Sequence, residues 1–270
     1  MILSRKTRGL PLERCCQLLG VSRSLVYKHC PQKAVECHDR LREVAGRGKN
    51  RYLGYRRLCF EIGESSDRTR RLMRRAGIRA LCRGRYKPAV VAGGASFEGT
   101  NLWRNKEVEK VGTVLGSDVT YVNVGGRFCY VAVTLDLCSR KVVGWAVSDR
   151  NDNALTLSCL SRCEATREPG WVHHSDRGHN YTSHAFTEAV ASTSGLSSFS
   201  RAARPYDNAI VERFFATFKF EGVQAGSCRD KGELLAKTER FVEEYNTRRR
   251  HSSIRYMTPE QYEREHQPTT

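Results

Sequence analysis

TVLGSDVTYVNV (113–124), GG (125–126) and FCYVAVTLDL (128–137) are the residues on which the fold turns. Two runs rich in β-branched and aromatic residues flank a glycine pair. Such runs read as strands, and Gly-Gly between them is a hairpin signal. A third run, Lys141 to Val147, follows within strand-to-strand distance. Asp118 lies in the middle of the first strand. A charge there is costly unless it is paired or binds a cation, so this residue is the first candidate for function.

Downstream, the pattern alternates. Asn153 to Arg167 reads as a helix ended by Pro169-Gly170, and Trp171 to His174 as a short strand running into Ser175-Asp176-Arg177-Gly178. Ser183 to Ala191 is a helix and Leu196 to Phe199 a strand. Helices follow at about Asn208 to Phe220 and Lys231 to Tyr245. Three antiparallel strands, then helix, strand, helix, strand, helix is the order of a ribonuclease H-like α/β fold, with a mixed five-stranded sheet.

Upstream, the character is different. Residues 1–110 hold 26 Lys and Arg against 10 Asp and Glu, whereas 111–270 hold 20 against 19, so nearly all of the net +17 lies in front. Such a stretch is the footprint of a phosphate-backbone partner; a solvated basic face or a surface for anionic lipid is the alternative. Leu12 to Leu19, Gly20 and the run from Val21, with Ser22 as N-cap, outline a helix-turn-helix. Tyr55 to Ile62, a turn with Ser65, Ser66 and Asp67 as caps, and Arg68 to Ala76 closed by Gly77 form a second such unit. Arg68, Arg71, Arg74 and Arg75 on that last helix are candidate DNA contacts; Arg70 stands among them. The expected organisation is a basic helical DNA-binding module at 1–82, a linker at 83–110, the catalytic core at 111–265 and a tail at 266–270.

Composition excludes other classes. The apolar fraction is 39% and the mean hydropathy −0.56, with no apolar run near the ~18 residues that cross a bilayer. No apolar segment follows the basic N-terminus, so a secretory signal is not expected and a cytoplasmic protein is. The eleven cysteines form no CxxC pair, and Cys15-Cys16, Cys159/Cys163, Cys37-His38 and His173-His174 have no matching half. They read as reduced, mostly buried thiols, without zinc.

Three acids stand in comparable settings: Asp118 mid-strand, Asp176 at a strand end, and Glu212 on the helix of Tyr206-Asp207-Asn208-Ala209-Ile210-Val211-Glu212. Strand C-termini are common functional positions in α/β sheets. Carboxylates suit hard cations, and two such ions ~4 Å apart activate a hydroxyl nucleophile and stabilise a leaving oxygen. Singly, each has a plainer reading as a polar edge residue, a turn former or a solvated helix residue. Asp136 reads as structural, Asp149 as a weaker metal candidate, and His174 as either a hydrogen-bonding neighbour of Asp176 or packing. Trp145, Trp171, Phe214 and Phe218 read as core. Asn208, Lys219, Arg249 and Arg250 are candidate DNA contacts. Asn208, Glu212 and Lys219 share one helix face at 100° per residue, while Ile210, Val211, Phe214 and Phe218 point elsewhere.

Taken together, Ser117-Asp118-Val119-Thr120-Tyr121, Leu135 to Trp145, His174-Ser175-Asp176-Arg177-Gly178, Tyr206-Asp207-Asn208-Ala209 with Glu212 and Phe214-Phe215, and Tyr245-Asn246 with Arg249 to Ser252 resemble the integrase-core transposases of bacterial insertion sequences. The match is to the second reading-frame product of the two-frame family. Thirty-five residues separate Asp176 from Glu212, the spacing of that family's DD(35)E signature. The resemblance implies Asp118, Asp176 and Glu212 as the catalytic triad holding two Mg²⁺ (or Mn²⁺) ions. It implies metal-dependent cleavage and strand transfer on transposon ends and target DNA, a homo-oligomer on DNA, association with the nucleoid, and the upstream-frame protein as a partner or fusion. The rivals are a non-catalytic DNA-binding protein and a ribonuclease of the same fold acting on RNA–DNA hybrid. Among the departures, Arg255 stands where the family has glycine.

Overall fold

The computed structural model describes residues 12–22, 24, 31–81, 100–103, 108–163, 167–201, 208–223 and 228–266. The chain divides into two compact units, Met1–Cys82 and Arg83–Thr270.

The first unit is helical: α1 (Leu12–Leu18), α2 (Pro31–Gly46), a 3₁₀ turn (Gly48–Tyr52), α3 (Tyr55–Ile62) and α4 (Ser66–Ala76). Leu41, Ala45, Leu58, Ile62, Leu72 and Met73 form its core. The α3–α4 turn follows from local chemistry. Gly63 takes φ +68, which costs glycine nothing, and Ser65 caps α4 by accepting from Arg68 N. Gly77 closes α4 at φ +67. The long helix α2 has no counterpart in the sequence reading, because its weak apolar stripe is only seen to be buried once α3 and α4 pack on it. Most of the helix expected after Val21 lies outside the described residues.

In the second unit β1 (Val114–Val124), β2 (Arg127–Asp136) and β3 (Val142–Ser148) are an antiparallel meander. Gly125 and Gly126 have φ +55 and +85, the double positive φ of a tight primed turn. Helix α5 (Asn153–Ser161) leads to β4 (Val172–Ser175), α6 (His179–Thr182) and α7 (His184–Ser192) to β5 (Leu196–Phe199), and both new strands run parallel to β1, giving the order β3-β2-β1-β4-β5. The mixed five-stranded sheet expected from the element order is thus present. Then come α8 (Ala209–Thr217), a π-helical turn (Phe218–Val223), α9 (Lys231–Thr247), a 3₁₀ turn (Ser252–Ile254) and α10 (Pro259–His266).

Strand alternation sorts the two faces. Val114, Val122 and Val124 pack with Val211, Phe214, Phe218 and Phe241 of α8, the π-turn and α9. Leu115 and Val119 pack on the other face, against the α5 and α7 side with Leu160, Phe186 and Val190. Two glycines permit close approach. A Cβ on Gly144 would lie 2.6 Å from the Cys159 carbonyl of α5; one on Gly116 would lie 2.7 Å from Leu137 Cδ2 and 3.0 Å from Val211 Cγ2 of α8. The second matters for function, since it seats the helix that carries Glu212 on the strand that carries Asp118.

Several boundaries differ from the sequence reading. Helix α5 stops at Ser161, where Arg162 leaves helical geometry, rather than at Arg167. The helix expected to run to Phe220 changes from α to π after Thr217. Helices α6 and α10 are additions. Arg255 and Tyr256 take φ +55 and +60, so the departure from glycine at 255 is met by two residues held in left-handed geometry.

Candidate metal and DNA site

Three elements place the acids. Asp118 projects from the middle of β1, Asp176 follows the last residue of β4, and Glu212 sits in the first turn of α8. The parallel register of β1 and β4, Gly116 beside His174, carries Asp118 and Asp176 up neighbouring strands. Asp118 is half-buried, while Asp176 and Glu212 are exposed.

The Asp118 carboxyl feels the other two. Burial, then the negative charges of Asp176 and Glu212, raise Asp118 to about 8, against the Val119 N–H and the Lys219 ammonium, which lower it. Glu212 is also raised by burial. Asp118 Oδ1 accepts from Val119 N at 2.8 Å and Asp176 Oδ1 from Gly178 N at 2.9 Å. Among the described residues no three His, Cys, Asp or Glu side chains stand ready to chelate an ion as they are placed. The acids are gathered but not closed around a point.

Lys219 belongs to this group. It is exposed on the π-turn, and its Nζ stands 4.6 Å from the Tyr121 ring centroid. Burial lowers its pKa while Asp118 raises it. Asn208 departs from expectation. It is 7% exposed, makes no side-chain cap and donates from Nδ2 to the Ser117 carbonyl at 3.3 Å. Its amide is a tether between the start of α8 and β1 rather than a helix cap or an exposed DNA contact, because tight seating of α8 buries it.

Sequence reasoning did not find the polar chain behind Asp118. His173 Nε2 lies 2.8 Å from Ser117 Oγ, which lies 2.7 Å from Thr134 Oγ1. All three are buried, and burial lowers His173 to about 3, so the imidazole is neutral. The signal available was the inward-facing position of His173 on a strand next to an aspartate. His174 is wholly buried, with Nδ1 2.9 Å from Ser198 Oγ and Nε2 3.1 Å from Ser200 Oγ; it ties β4 to β5.

The other candidates separate cleanly. Asp136 is fully buried and accepts from Gly112, Cys138 and Ser139 N–H groups. It organises the β2–β3 turn. Asp149 pairs with Lys231 at 2.7 Å. Arg249 is bound in a two-pronged, largely buried ion pair with Glu221, one prong at 2.9 Å, and Arg250 donates to the Tyr256 carbonyl at 3.1 Å. Both were expected on DNA; their guanidiniums instead fasten the segment after α9. Asn246 does the same for α9, exchanging two 2.9 Å hydrogen bonds with the Val142 backbone of β3. In the first unit Arg68, Arg71, Arg74 and Arg75 are all exposed. Arg68 and Arg70 meet Glu64 and Asp67 at 3.4 and 3.7 Å, acids that lie just outside the arginine run. Among the described residues no acid pairs with Arg71, Arg74 or Arg75. Trp171, Phe214 and Phe218 are core and Trp145 packs beside it; the seven described cysteines are buried free thiols. No helix of the described residues is long and apolar enough to cross a membrane.

Comparison with known proteins is consistent with this geometry. The integrase core domain matches at residues 108–205 and, in a second form, at 197–259. The chain is 35% identical over 150 residues to the transposase for insertion sequence element IS904 of Lactococcus lactis, covering 54% of this chain and 59% of that protein. It is 27% identical over 270 residues to transposase InsF for insertion sequence IS3A of Escherichia coli, covering 93% of each. A chain of the simian T-cell lymphotropic virus intasome, solved in complex with the PP2A regulatory subunit B56 gamma, shares the fold at TM-score 0.51 and 14% identity, over 81% of this chain and 73% of that one.

Proposed function

Because this chain belongs to the insertion-sequence transposases with an integrase core, we propose that it cleaves and joins DNA strands during transposition of its element, with Asp118, Asp176 and Glu212 as the catalytic acids. What supports this reading is that Asp118 on β1 lies close enough to Asp176, at the end of β4, and Glu212, on α8, for their charges to raise it, with one lysine beside it. Uncompensated negative potential around hard oxygen donors fits a divalent cation such as Mg²⁺ or Mn²⁺. When bound, a pair of such ions activates the attacking hydroxyl and stabilises the leaving oxygen.

The protein's own part is positioning and electrostatics. Asp118 supplies a fixed donor, held by the Val119 N–H. Asp176 and Glu212, exposed at the end of β4 and on α8, would complete the set of oxygen donors. The neutral chain His173, Ser117, Thr134 keeps the backbone at Asp118 rigid without adding charge. Lys219 offers a cation to a phosphate next to the acids. The exposed Arg71, Arg74 and Arg75 hold the DNA backbone, which fixes register without reading sequence. Transposon ends, target DNA, an upstream-frame partner and a homo-oligomer on DNA complete the proposal.

The test is strand cleavage and joining on duplex DNA bearing the element's ends, with Mg²⁺, for wild type and for Asp118→Asn, Asp176→Asn and Glu212→Gln. Each variant is expected to lose more than 90% of activity while binding DNA as wild type does, and to lose the Mn²⁺-induced rise in Tm that ion binding gives the wild type. A variant keeping a tenth or more of the activity is not a member of the triad. Wild type that binds end DNA but never cleaves it supports a non-catalytic binding protein instead.

A further inference from the structure

Tyr121 and Phe128 are 58% and 55% exposed, and their rings meet edge to face at 5.2 Å. Exposed aromatic pairs forgo burial of large apolar areas, which calls for an occupant. Their place is informative. Tyr121 lies three residues beyond Asp118 on β1, roughly 10 Å along the strand and, by strand alternation, on the opposite face of the sheet. Strand β4 pairs with β1 only through Gly116, so this part of the sheet has β2 as its strand neighbour. Lys219 spans the gap: its ammonium stands over the Tyr121 ring and also feels the Asp118 carboxyl. Arg127, next to Phe128 in sequence but turned to the other face of the strand, is exposed, and no acid pairs with it among the described residues.

Rings with a cation beside them, next to a phosphodiester site, match the chemistry of a nucleotide with its base unstacked. The base stacks on the ring, and the cation takes its phosphate. A base paired within a duplex has both faces stacked on its neighbours, and a terminal pair offers only one, so a platform on the strand beside the scissile phosphate suits an unpaired base. We propose that Tyr121, supported by Phe128, is a stacking platform for an unpaired base of the DNA strand flanking the scissile phosphate, with Lys219 on the adjoining phosphate. This rests on the acids being the reaction centre, and it adds a subsite that splays the strand end next to it.

The probe is a duplex with a three-nucleotide single-stranded overhang carrying 2-aminopurine, compared with a blunt duplex of equal length. Binding is measured in EDTA, so that catalysis plays no part. Wild type is expected to change the 2-aminopurine emission and to prefer the overhang. Tyr121→Leu is expected to weaken overhang binding roughly tenfold, the scale of one base–aromatic stack, and to leave blunt-duplex binding unchanged. Tyr121→Trp should restore it, and Phe128→Leu should lower it less. Unchanged emission in the wild type, or Tyr121→Leu binding the overhang as well as wild type, overturns the proposal. So does a change in sedimentation of the Leu variants with DNA affinity intact, which would make the rings a contact between copies of the chain. Should Tyr121→Leu not fold, Phe128→Leu and the wild-type emission decide. Triad variants that keep their activity would refute the proposed function but leave this binding result standing.

Discussion

The sharpest conflict in the molecule sits on one residue. Asp118 is raised to about 8, first by burial and then by its acidic neighbours. The unfolded chain ionises this carboxyl near 4, so the folded state binds the extra proton between pH 4 and pH 8. Its contribution to stability therefore falls as pH rises through that window, and above it the buried charge is uncompensated unless a cation is present. We expect Asp118→Asn to raise Tm in EDTA at pH 8 and to change it little at pH 4, while abolishing strand cleavage. Thermal unfolding across pH 4–8 checks this; a variant less stable than wild type at pH 8 would show that the carboxylate is held by compensating contacts. Asp136 shows the opposite design. It is also raised by burial, but three backbone N–H groups oppose that shift, so it serves the turn and not the chemistry.

At the scale of elements, the site depends on α8 lying close against β1. Gly116 makes this possible, because any Cβ would press into Leu137 and Val211. Asn208 then ties the first residues of the helix to the Ser117 carbonyl, and Phe214 and Phe218 fill the face below, wholly or nearly buried. Gly116→Ala is expected to push α8 outward by a few tenths of an ångström or more, destabilise the fold by about 1–3 kcal/mol as overpacking does, and lower kcat at least tenfold, since small misplacements of reacting groups are costly. DNA affinity should hold. Denaturant unfolding and the strand-joining rate measure the two effects; full activity would mean that Glu212 tolerates displacement. The π-turn after Thr217 is the other decisive local feature. A uniform α-helix already groups Lys219 with Glu212, but the wider turn sets where the ammonium stands between Asp118 and Tyr121.

Over the whole molecule, charge and chemistry are carried by different units. Residues 1–82 hold 20 Lys and Arg against 7 Asp and Glu, while the acids of the site lie in 83–270. On the proposed reading, long-range attraction to phosphate falls to the first unit and strand chemistry to the second. Replacing Arg71, Arg74 and Arg75 together with Ala is expected to weaken non-specific duplex binding. The slope of log K against log salt should become shallower by about 3 at most, near 0.9 for each phosphate that the protein no longer neutralises. Titrations at several salt concentrations read this directly. An unchanged slope would assign those exposed arginines to solvent and move the DNA-binding surface elsewhere.

Much of this was written in local pattern. The glycine hairpin, the three β-rich runs, the Ser65 and Gly77 caps and the spacing of Asp118, Asp176 and Glu212 are properties of neighbouring residues, so the sequence alone determined the sheet, the α3–α4 turn and the candidate acids. Other features depend on which surfaces meet. Arg249 and Arg250 look like free cations until Glu221 and the Tyr256 carbonyl arrive from elsewhere in the chain. Asn208 looks like a DNA contact until α8 is pressed onto β1, and His173, unmatched in the sequence, becomes a neutral link to Ser117 only once it is buried. Burial, pairing and charge state are set by groups distant in sequence, and only tertiary packing decides which polar residues remain available to a ligand and which are consumed in holding the fold.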